Sequence, residues 1–326
     1  MTSLHAETDE NLIDSPNTFL TDVLKGLSEV PKTLPSKYFY DAEGARLFTK
    51  ISRLDAYYPT RTENKILSDH IKSISEAIGP NKALIEYGSG ALDKVRVLLS
   101  ALQNPAALVA IDISREQLRI ATKILASDFP SLPVYPMAAD FTGPIKVPKM
   151  PKTVEGKVAF FPGSTIGNFA PPEDAKLLTA IAKTVGPKGK VLIGFDLKKD
   201  STRLIKAYDD PQGVTAAFNK NILSRINREL NANFIPSLFD HVVRYNSTAG
   251  RIEMHLESQI EQSVNVTGNI FHFTPKETVH TENSYKYTID EFTVLANHAG
   301  LSREAVWSDP DQLFAVILLT AKVDER

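Results

Sequence analysis

The sequence contains no cysteine. That absence excludes disulfides, thiolate zinc sites, iron–sulfur clusters and a cysteine nucleophile, and it fits a reducing compartment. Residues 1–11 are polar and acidic, without the apolar core of a secretion signal. No stretch approaches the roughly 18 apolar residues that a membrane span needs. We therefore expect a cytoplasmic protein with a frayed N-terminus.

A strong excess of charge is also lacking, because 37 Lys and Arg residues stand against 39 Asp and Glu residues. Without a basic tract, the chain offers no surface that would follow a phosphate backbone or an acidic membrane. None of the seven histidines belongs to a His-x-x-x-His pair or to a carboxylate cluster suited to a metal. The partner that we expect is a small molecule, with no metal, nucleic acid or membrane.

Short apolar runs alternate with helical patterns in the part of the chain that ends at Asp196. The apolar runs lie at 83–86, 107–111, 134–138, 158–161 and 191–195. Helical patterns are found at 95–102, from Ser114 onward and at 174–185. Short buried strands separated by helices predict an α/β fold with a parallel sheet.

The alternation ends after Asp196, where a helix predicted at 214–230 is followed by runs of alternating polarity. Those runs lie at 242–245, 251–259 and 279–287. They indicate an α+β insertion, because strands no longer alternate with helices. A helix at 289–299 and two strands, near 304–307 and at 313–321, then predict a returning hairpin at the sheet edge.

The first sixty residues have helical spacing interrupted by Pro31 and Pro35, which is typical of a lid or cap segment. The motif Thr60-Arg61-Thr62-Glu63 predicts a capping box at the start of a long helix.

A glycine loop follows the first predicted strand. Gly88 and Gly90 would let backbone amides approach a ligand, although an isolated Gly-Ser-Gly is more often a plain turn. Asp112 closes the next strand about twenty residues on, where a carboxylate can accept both ribose hydroxyls. A nicotinamide dinucleotide site would need a third glycine where Asp93 stands, so a nucleoside ligand is favoured over a dinucleotide.

Three further residues extend this candidate site. Asp140 can accept from an adenine amino group, and the ring of Phe141 can pack on the adenine face or simply join the core. Glu86 ends a strand buried on both faces, so its carboxylate needs a partner. That partner is either the amino-acid part of a sulfonium ligand or the protein itself, for example Lys94.

Four separated motifs connect these residues to a known family. They are Leu34-Pro35-Ser36-Lys37-Tyr38-Phe39-Tyr40-Asp41, Tyr57-Tyr58-Pro59-Thr60-Arg61-Thr62-Glu63, Gly163-Ser164-Thr165-Ile166-Gly167-Asn168 and Tyr208-Asp209-Asp210. Together with the glycine loop, they resemble the histidine Nα-methyltransferases of ergothioneine biosynthesis, which belong to the class I S-adenosylmethionine-dependent methyltransferases. The resemblance runs nearly from end to end.

The resemblance implies an enzyme that trimethylates the α-amine of L-histidine to hercynine with S-adenosyl-L-methionine, and we expect it to be a monomer. It implies a Rossmann-like methyltransferase domain at 60–196 and 288–326, and an α+β substrate domain formed by 1–59 and 197–287. Substrate residues would be Tyr57, Gly163, Asn168, Tyr208, Thr215, Met254, Glu282 and Ser284. Cofactor residues implied by the resemblance are Tyr40, Gly88, Lys94, Asp112, Asp140 and Phe141, and the strand and loop described above add Glu86 and Gly90. Tyr40 and Asn168 are the candidates for orienting the reacting amine.

The acceptor residues also have plain structural explanations. Asn168 could cap the helix that begins near Pro171, and each of Tyr57 and Tyr208 could be a half-buried core tyrosine. Glu282 and Ser284, two residues apart on a predicted strand, point to one face, where one imidazole could meet both, or where both could be solvated.

Two positions depart from the family pattern, since Tyr87 stands where leucine is expected and Asp93 where glutamate is expected. The main alternative is an N-methyltransferase acting on another amino acid or amine, such as a tryptophan derivative. A cofactor-binding sensor without chemistry and a dinucleotide oxidoreductase are further alternatives.

Overall fold

The computed structural model describes residues 16–90, 92–142 and 145–323. The predicted frayed start, and the first fifteen residues of the predicted lid, lie outside this part of the chain. The described residues form two compact units. One contains Pro59–Lys198 and the segment from Lys286 onward, and the other contains the segment up to Tyr58 and Lys199–Tyr285.

Helices and strands are numbered along the chain. The helices are α1 (Pro16–Ser28), α2 (Ala42–Ile51), α3 (Tyr58–Asp69), α4 (Ile71–Ile78), α5 (Asp93–Ala101), α6 (Arg115–Asp128), α7 (Glu173–Val185), α8 (Ser201–Tyr208), α9 (Val214–Leu230) and α10 (Ile289–His298). The strands are β1 (Lys32–Thr33), β2 (Lys82–Tyr87), β3 (Ala107–Asp112), β4 (Val134–Ala138), β5 (Gly156–Phe161), β6 (Lys190–Asp196), β7 (Phe239–Asn246), β8 (Arg251–Ser258), β9 (Gln262–Val266), β10 (Asn269–Phe273), β11 (Thr278–Tyr285), β12 (Leu301–Ser308) and β13 (Phe314–Ala321). None of the described helices has the length and apolar character to cross a membrane.

The first unit is built on a seven-stranded sheet with the order β12-β13-β6-β5-β2-β3-β4. The strands from β6 to β4 pair in parallel, and β13 pairs antiparallel with β6 and with β12. The predicted α/β fold, its five parallel strands and its closing hairpin are confirmed. The strand order reverses between β2 and β5, because the chain proceeds from β2 toward β3 on one side and reaches β5 on the other.

Burial explains why the parallel strands could be identified. In β3, the residues from Ala107 to Ile111 are fully buried, because a parallel sheet is covered by helices on both faces. Such strands appear in a sequence as continuous apolar runs. The helix predicted at 214–230 is likewise confirmed as α9.

The second unit contains a four-stranded sheet with the order β1-β11-β8-β7. The strands β7, β8 and β11 pair antiparallel, and the two-residue β1 adds a parallel edge to β11. The helix α9 packs on this sheet and on α2. A separate hairpin of β9 and β10 was not predicted from the sequence.

A buried ion pair stands where the chain returns to the first unit. Lys286 Nζ lies 2.8 Å from an Asp196 carboxylate oxygen, and both side chains are 0% exposed. Beside it, Leu197 and Tyr287 form a parallel bridge, and the Lys198 N–H donates to the carbonyl of Tyr287. The chain therefore leaves and re-enters this unit at adjacent points.

We expect Lys286→Met to lower the apparent free energy of unfolding by about 3 kcal/mol, because it removes the positive charge that faces the buried Asp196 carboxylate. Lys65→Met is the matched control, since Lys65 pairs with Asp69 on the exposed surface of α3 and should contribute under about 0.5 kcal/mol. Chemical denaturation of both variants measures the difference. Equal losses would contradict a special role for the buried pair.

Candidate functional site

The glycine loop lies at the carboxyl end of β2, where the strand order reverses. Ligands of open α/β sheets bind at such a switch point. Gly88 has a φ of 70° and Gly90 a φ of 50°, in the left-handed region that favours glycine. A Cβ on Gly90 would meet no heavy atom within 4 Å, so the loop leaves its backbone open to an approaching group.

Asp112 contacts this loop directly. One carboxylate oxygen accepts from the Gly90 N–H at 2.8 Å, and the other accepts from the Ser114 N–H at 2.8 Å. Burial raises the pKa of Asp112 despite these two bonds. A carboxylate has about four lone-pair positions, so the oxygens keep acceptor capacity for ribose hydroxyls.

The aromatic residue predicted to stack on adenine stands beside the glycine loop. A Cβ on Gly88 would come within 3.7 Å of the Phe141 ring. The same ring makes edge-on contacts with Tyr87, at 5.9 Å between centroids, and with Phe161, at 5.7 Å. Phe141 therefore has core contacts and is also positioned near the loop, so the two explanations of this residue are compatible. Burial raises the pKa of Tyr87 to about 12.

Asp140 shapes the turn after β4. One of its carboxylate oxygens accepts from the Thr142 N–H at 3.0 Å and from the Thr142 hydroxyl at 2.6 Å. Asp140 therefore lies just after the end of β4, where the sequence predicted an acceptor for the adenine amino group.

Glu86 is 1% exposed, and its Oε2 accepts no hydrogen bond within the described part of the chain. Burial raises the pKa of Glu86 well above the usual carboxyl range, while the positive charge of Lys94 opposes that increase. The alternative that Lys94 bonds Glu86 is wrong, because Lys94 forms its ion pair with Glu63. Glu86 thus has one unsatisfied carboxyl oxygen, one residue before the end of β2.

Glu63 is a residue whose role the sequence interpretation missed. The capping box predicted at Thr60–Glu63 is wrong, because α3 begins at Tyr58 and Thr60 lies inside the helix. The Glu63 carboxylate is instead buried, pairs with Lys94 and accepts from the Gly163 N–H at 3.0 Å. Its place in the Tyr57–Glu63 motif was the signal that could have identified it.

Two glycines make this arrangement of Glu63 possible. Gly163 follows β5 and has a φ of 83°, and its N–H donates to the Glu63 carboxylate. A Cβ on Gly194 of β6 would overlap the Glu63 carboxylate. Glu63, Lys94 and Gly163 are therefore fixed together at the reversal of strand order.

Asn168 follows β5 in the first unit, in a short 3-10 turn at Thr165–Asn168. The alternative that it caps the next helix is wrong, since Pro172 is the N-cap of α7 and no side chain caps it. The Asn168 side chain is half-buried.

Three predicted substrate residues meet in the second unit. The Tyr208 and Ser284 hydroxyl oxygens are 2.7 Å apart, and both residues are buried. The rings of Tyr57 and Tyr208 contact edge to face, with centroids 6.0 Å apart. Tyr57 and Tyr208 are both buried, which agrees with the alternative that each is a core tyrosine, and both also belong to this cluster.

The strand pairing places the remaining predicted residues of the sheet. Glu282 of β11 lies directly opposite Met254 of β8, after a bulge that follows His280. Residues opposite each other in a sheet share a face, and so do residues two apart on a strand. Met254, Glu282 and Ser284 therefore lie on one face, with Glu282 half-buried and the other two buried.

Thr215 and Tyr40 lie on other elements of the second unit. Thr215 is buried in the first turn of α9, where its N–H donates to Asp210 at 2.7 Å. Tyr40 ends the 3-10 turn at Ser36–Phe39, and its ring contacts Phe48 and Phe218 edge on.

Known proteins resemble this chain in sequence and in fold. The histidine N-alpha-methyltransferase of Mycolicibacterium smegmatis is 39% identical over 303 residues, covering 91% of this chain and 93% of that protein. The ergothioneine biosynthesis protein 1 of Neurospora crassa is 30% identical over 285 residues, which are 85% of this chain but 32% of that longer protein. An S-adenosylmethionine-dependent methyltransferase structure from Clostridium acetobutylicum shares the fold, with a TM-score of 0.50, 12% identity and coverage of 86% of this chain and 98% of that chain.

The family model described as histidine-specific, S-adenosylmethionine-dependent methyltransferase matches residues 19–321. That match spans nearly the whole chain, and the alignment with the relative from M. smegmatis covers a similar share of the chain. The chain therefore belongs to the family of histidine-specific, S-adenosylmethionine-dependent methyltransferases.

Proposed function

We propose that this protein transfers methyl groups from S-adenosyl-L-methionine to the α-amine of L-histidine, three times in succession, and so forms hercynine for ergothioneine biosynthesis. The observation that carries the proposal is the polar cluster of the second unit, in which the Tyr208 phenol lies 2.7 Å from the Ser284 hydroxyl. In the proposal, the Tyr208 phenol would donate to the substrate carboxylate and the Ser284 hydroxyl would be a polar partner for its imidazole. Family membership supports the same reaction.

Acceptor selection would rest on the polar face of the sheet. Glu282 would accept from one imidazole N–H, and the Ser284 hydroxyl would serve the other ring nitrogen. Met254, opposite Glu282, would supply apolar contact. A site that hydrogen-bonds its ligand can reject an analogue lacking those groups by about 10⁴ or more, because buried polar groups are left unpaired.

The cofactor residues fit S-adenosyl-L-methionine. Gly88 and Gly90 would admit the nucleoside close to the backbone, Asp112 would accept the ribose hydroxyls, and Asp140 and Phe141 would hold the adenine. The buried, unsatisfied oxygen of Glu86 would accept from the ammonium of the amino-acid part. Lys94 would support this side of the site from its ion pair with Glu63. When bound, S-adenosyl-L-methionine supplies an electrophilic methyl group on a sulfonium.

The protein's part in the reaction would be to hold an unprotonated amine in line with that methyl group and to exclude water. Tyr57 and Tyr208 would bind the histidine carboxylate with their phenols. Tyr40 or Asn168 would orient the amine lone pair by accepting hydrogen bonds from its N–H groups, and the proton that the amine gives up in each round would pass to water. The cytoplasmic location and the monomeric state expected from the sequence stay predictions.

Mass spectrometry of the purified protein incubated with S-adenosyl-L-methionine tests the reaction. We expect L-histidine to gain one, two and then three methyl groups, and L-tryptophan and histamine to gain none. Histamine lacks the carboxylate and tryptophan lacks the imidazole, so the two compounds test the two halves of the site separately. Methylation of tryptophan or histamine instead of histidine would overturn the proposed acceptor.

We expect Glu282→Ala to raise the KM for L-histidine by about tenfold to a hundredfold, because an imidazole N–H loses its carboxylate acceptor. The affinity for S-adenosyl-L-methionine should stay unchanged. Glu261→Ala, which removes an exposed glutamate of the same unit, is the control and should leave both constants unchanged. Steady-state kinetics and calorimetric titration give the two values. An unchanged KM in the Glu282 variant would remove this residue from the acceptor site.

We expect Glu86→Gln to stabilise the cofactor-free protein and to weaken its binding of S-adenosyl-L-methionine. Burial raises the pKa of Glu86, so the folded protein holds this proton more tightly than the unfolded chain does. The contribution of this bound proton to the free energy of unfolding is complete below the pKa that Glu86 has in the unfolded chain. It is lost as the pH rises through the higher pKa that Glu86 has in the folded protein. Glutamine avoids that loss, so the advantage of the variant should grow with pH.

The cofactor affinity of the wild type should rise over the same range, as the carboxylate forms and meets the ammonium group. Thermal melting and calorimetric titration from about pH 5 to 8 follow both trends. Glu76→Gln, on the exposed surface of α4, is the control. Parallel pH profiles for the wild type and the Glu86 variant would contradict the assignment.

A further inference from the structure

Three buried or half-buried polar residues of the second unit connect its helices to its sheet. Asn219 of α9 is 0% exposed, Thr281 of β11 is 1% exposed, and His241 of β7 lies between Asn219 and the end of α8. Polar groups in such places destabilise a fold unless each has a partner. Their partners form one continuous chain of hydrogen bonds.

The chain fixes the proton on His241. The main-chain carbonyl of His255 can only accept, and it lies 3.0 Å from one side-chain atom of Asn219, which must therefore be the amide nitrogen. The Thr281 hydroxyl agrees with this orientation, because it donates its single hydrogen between two acceptors, the Asn219 side-chain oxygen at 2.7 Å and the Met254 carbonyl at 3.0 Å. The same amide nitrogen donates to His241 Nδ1 at 2.8 Å, so Nδ1 carries no proton.

The other ring nitrogen then carries the hydrogen. His241 Nε2 lies 2.9 Å from the main-chain carbonyl of Tyr208 and donates to it. Tyr208 is the last residue of α8, and the carbonyls of a final helical turn have no partner within the helix. His241 thus ties this carbonyl to the sheet while the Tyr208 phenol reaches Ser284 of β11.

We infer that His241, held neutral with its proton on Nε2 by Asn219, is a positioning residue that fixes Tyr208 for binding the carboxylate of the amino-acid substrate. The inference rests on the proposed function. His241 reaches the candidate site through the backbone of Tyr208.

Electrostatics agree with a neutral ring. Burial lowers the pKa of His241. The hydrogen bond to the Tyr208 carbonyl and the charges of Asp209 and Asp210 oppose this, each by less than burial does, and the charge of Lys220 adds to the lowering. A proton on Nδ1 would face the amide hydrogens of Asn219, so protonation would cost the hydrogen bond on that side.

Kinetics of the full chain test the inference with two substitutions at one position. We expect His241→Ala to raise the KM for L-histidine by about tenfold and to keep the Kd for S-adenosyl-L-methionine within about threefold. His241→Gln should recover most of the KM, because its amide can donate to the Tyr208 carbonyl and accept from Asn219. His272→Gln is the control, since His272 is an exposed histidine of β10, and both constants should stay unchanged.

Nitrogen NMR of protein with ¹⁵N-labelled histidine gives a readout independent of activity. The His241 signals, identified by their loss in His241→Gln, should show an unprotonated Nδ1 and a protonated Nε2 at neutral pH. The inference fails if Nδ1 is protonated, if His241→Ala leaves the KM unchanged, or if His241→Gln is as impaired as His241→Ala. A wild-type protein that does not methylate L-histidine would overturn the proposed function instead, and the NMR signals would still test the tautomer.

Discussion

The buried carboxylate of Glu63 is the constraint on which the predicted cofactor site of the first unit depends. An ionised group inside a protein is stable only when donors and opposite charge surround it. Lys94 of α5 and the N–H of Gly163 after β5 supply them. Gly194 of β6 supplies the space, because any side chain there would overlap the carboxylate. Segments separated by some 130 residues are therefore fixed by a single side chain, and two of them carry residues predicted to bind ligands.

The second unit follows the same rule with neutral groups. Asn219, His241 and Thr281 satisfy one another and the backbone around them, which leaves only one tautomer of the histidine compatible with its neighbours. Such networks specify geometry, because a shift of one member leaves the others without partners. In both units the residues predicted to touch ligands stand beside buried polar groups that hold their positions.

Local patterns in the sequence predicted the parts of the fold that local patterns determine. The buried strand β3 is a continuous apolar run, and α9 has helical spacing from Val214 to Leu230. Long-range pairing was not accessible in this way. The motif at Thr60–Glu63 has the residue types of a capping box but lies inside α3, whereas Thr288–Glu291 does form a capping box at the start of α10. Only the tertiary partners of Glu63 distinguish the two.

The candidate site shows the same division. Residue types at the ends of β2, β3 and β4 were predicted, because parallel strands bring their carboxyl ends to one edge. The proximity of Tyr208 and Ser284, 76 positions apart, came from resemblance to a family and not from spacing. Asn219, His241 and Thr281 carry no motif, since each has its partners on other elements.

The adjacent crossing points at Leu197 and Tyr287 have an evolutionary consequence. The two ends of this inserted segment lie side by side in the sheet of the first unit. The entropy cost of closing such a loop grows only slowly with its length, so the segment can change in length and sequence at little cost to the stability of that sheet. The 87 residues from Lys199 to Tyr285 can thus diverge under selection for a new acceptor while the cofactor sheet stays unaltered. The buried Lys286–Asp196 ion pair stabilises the point at which the two ends of this segment meet.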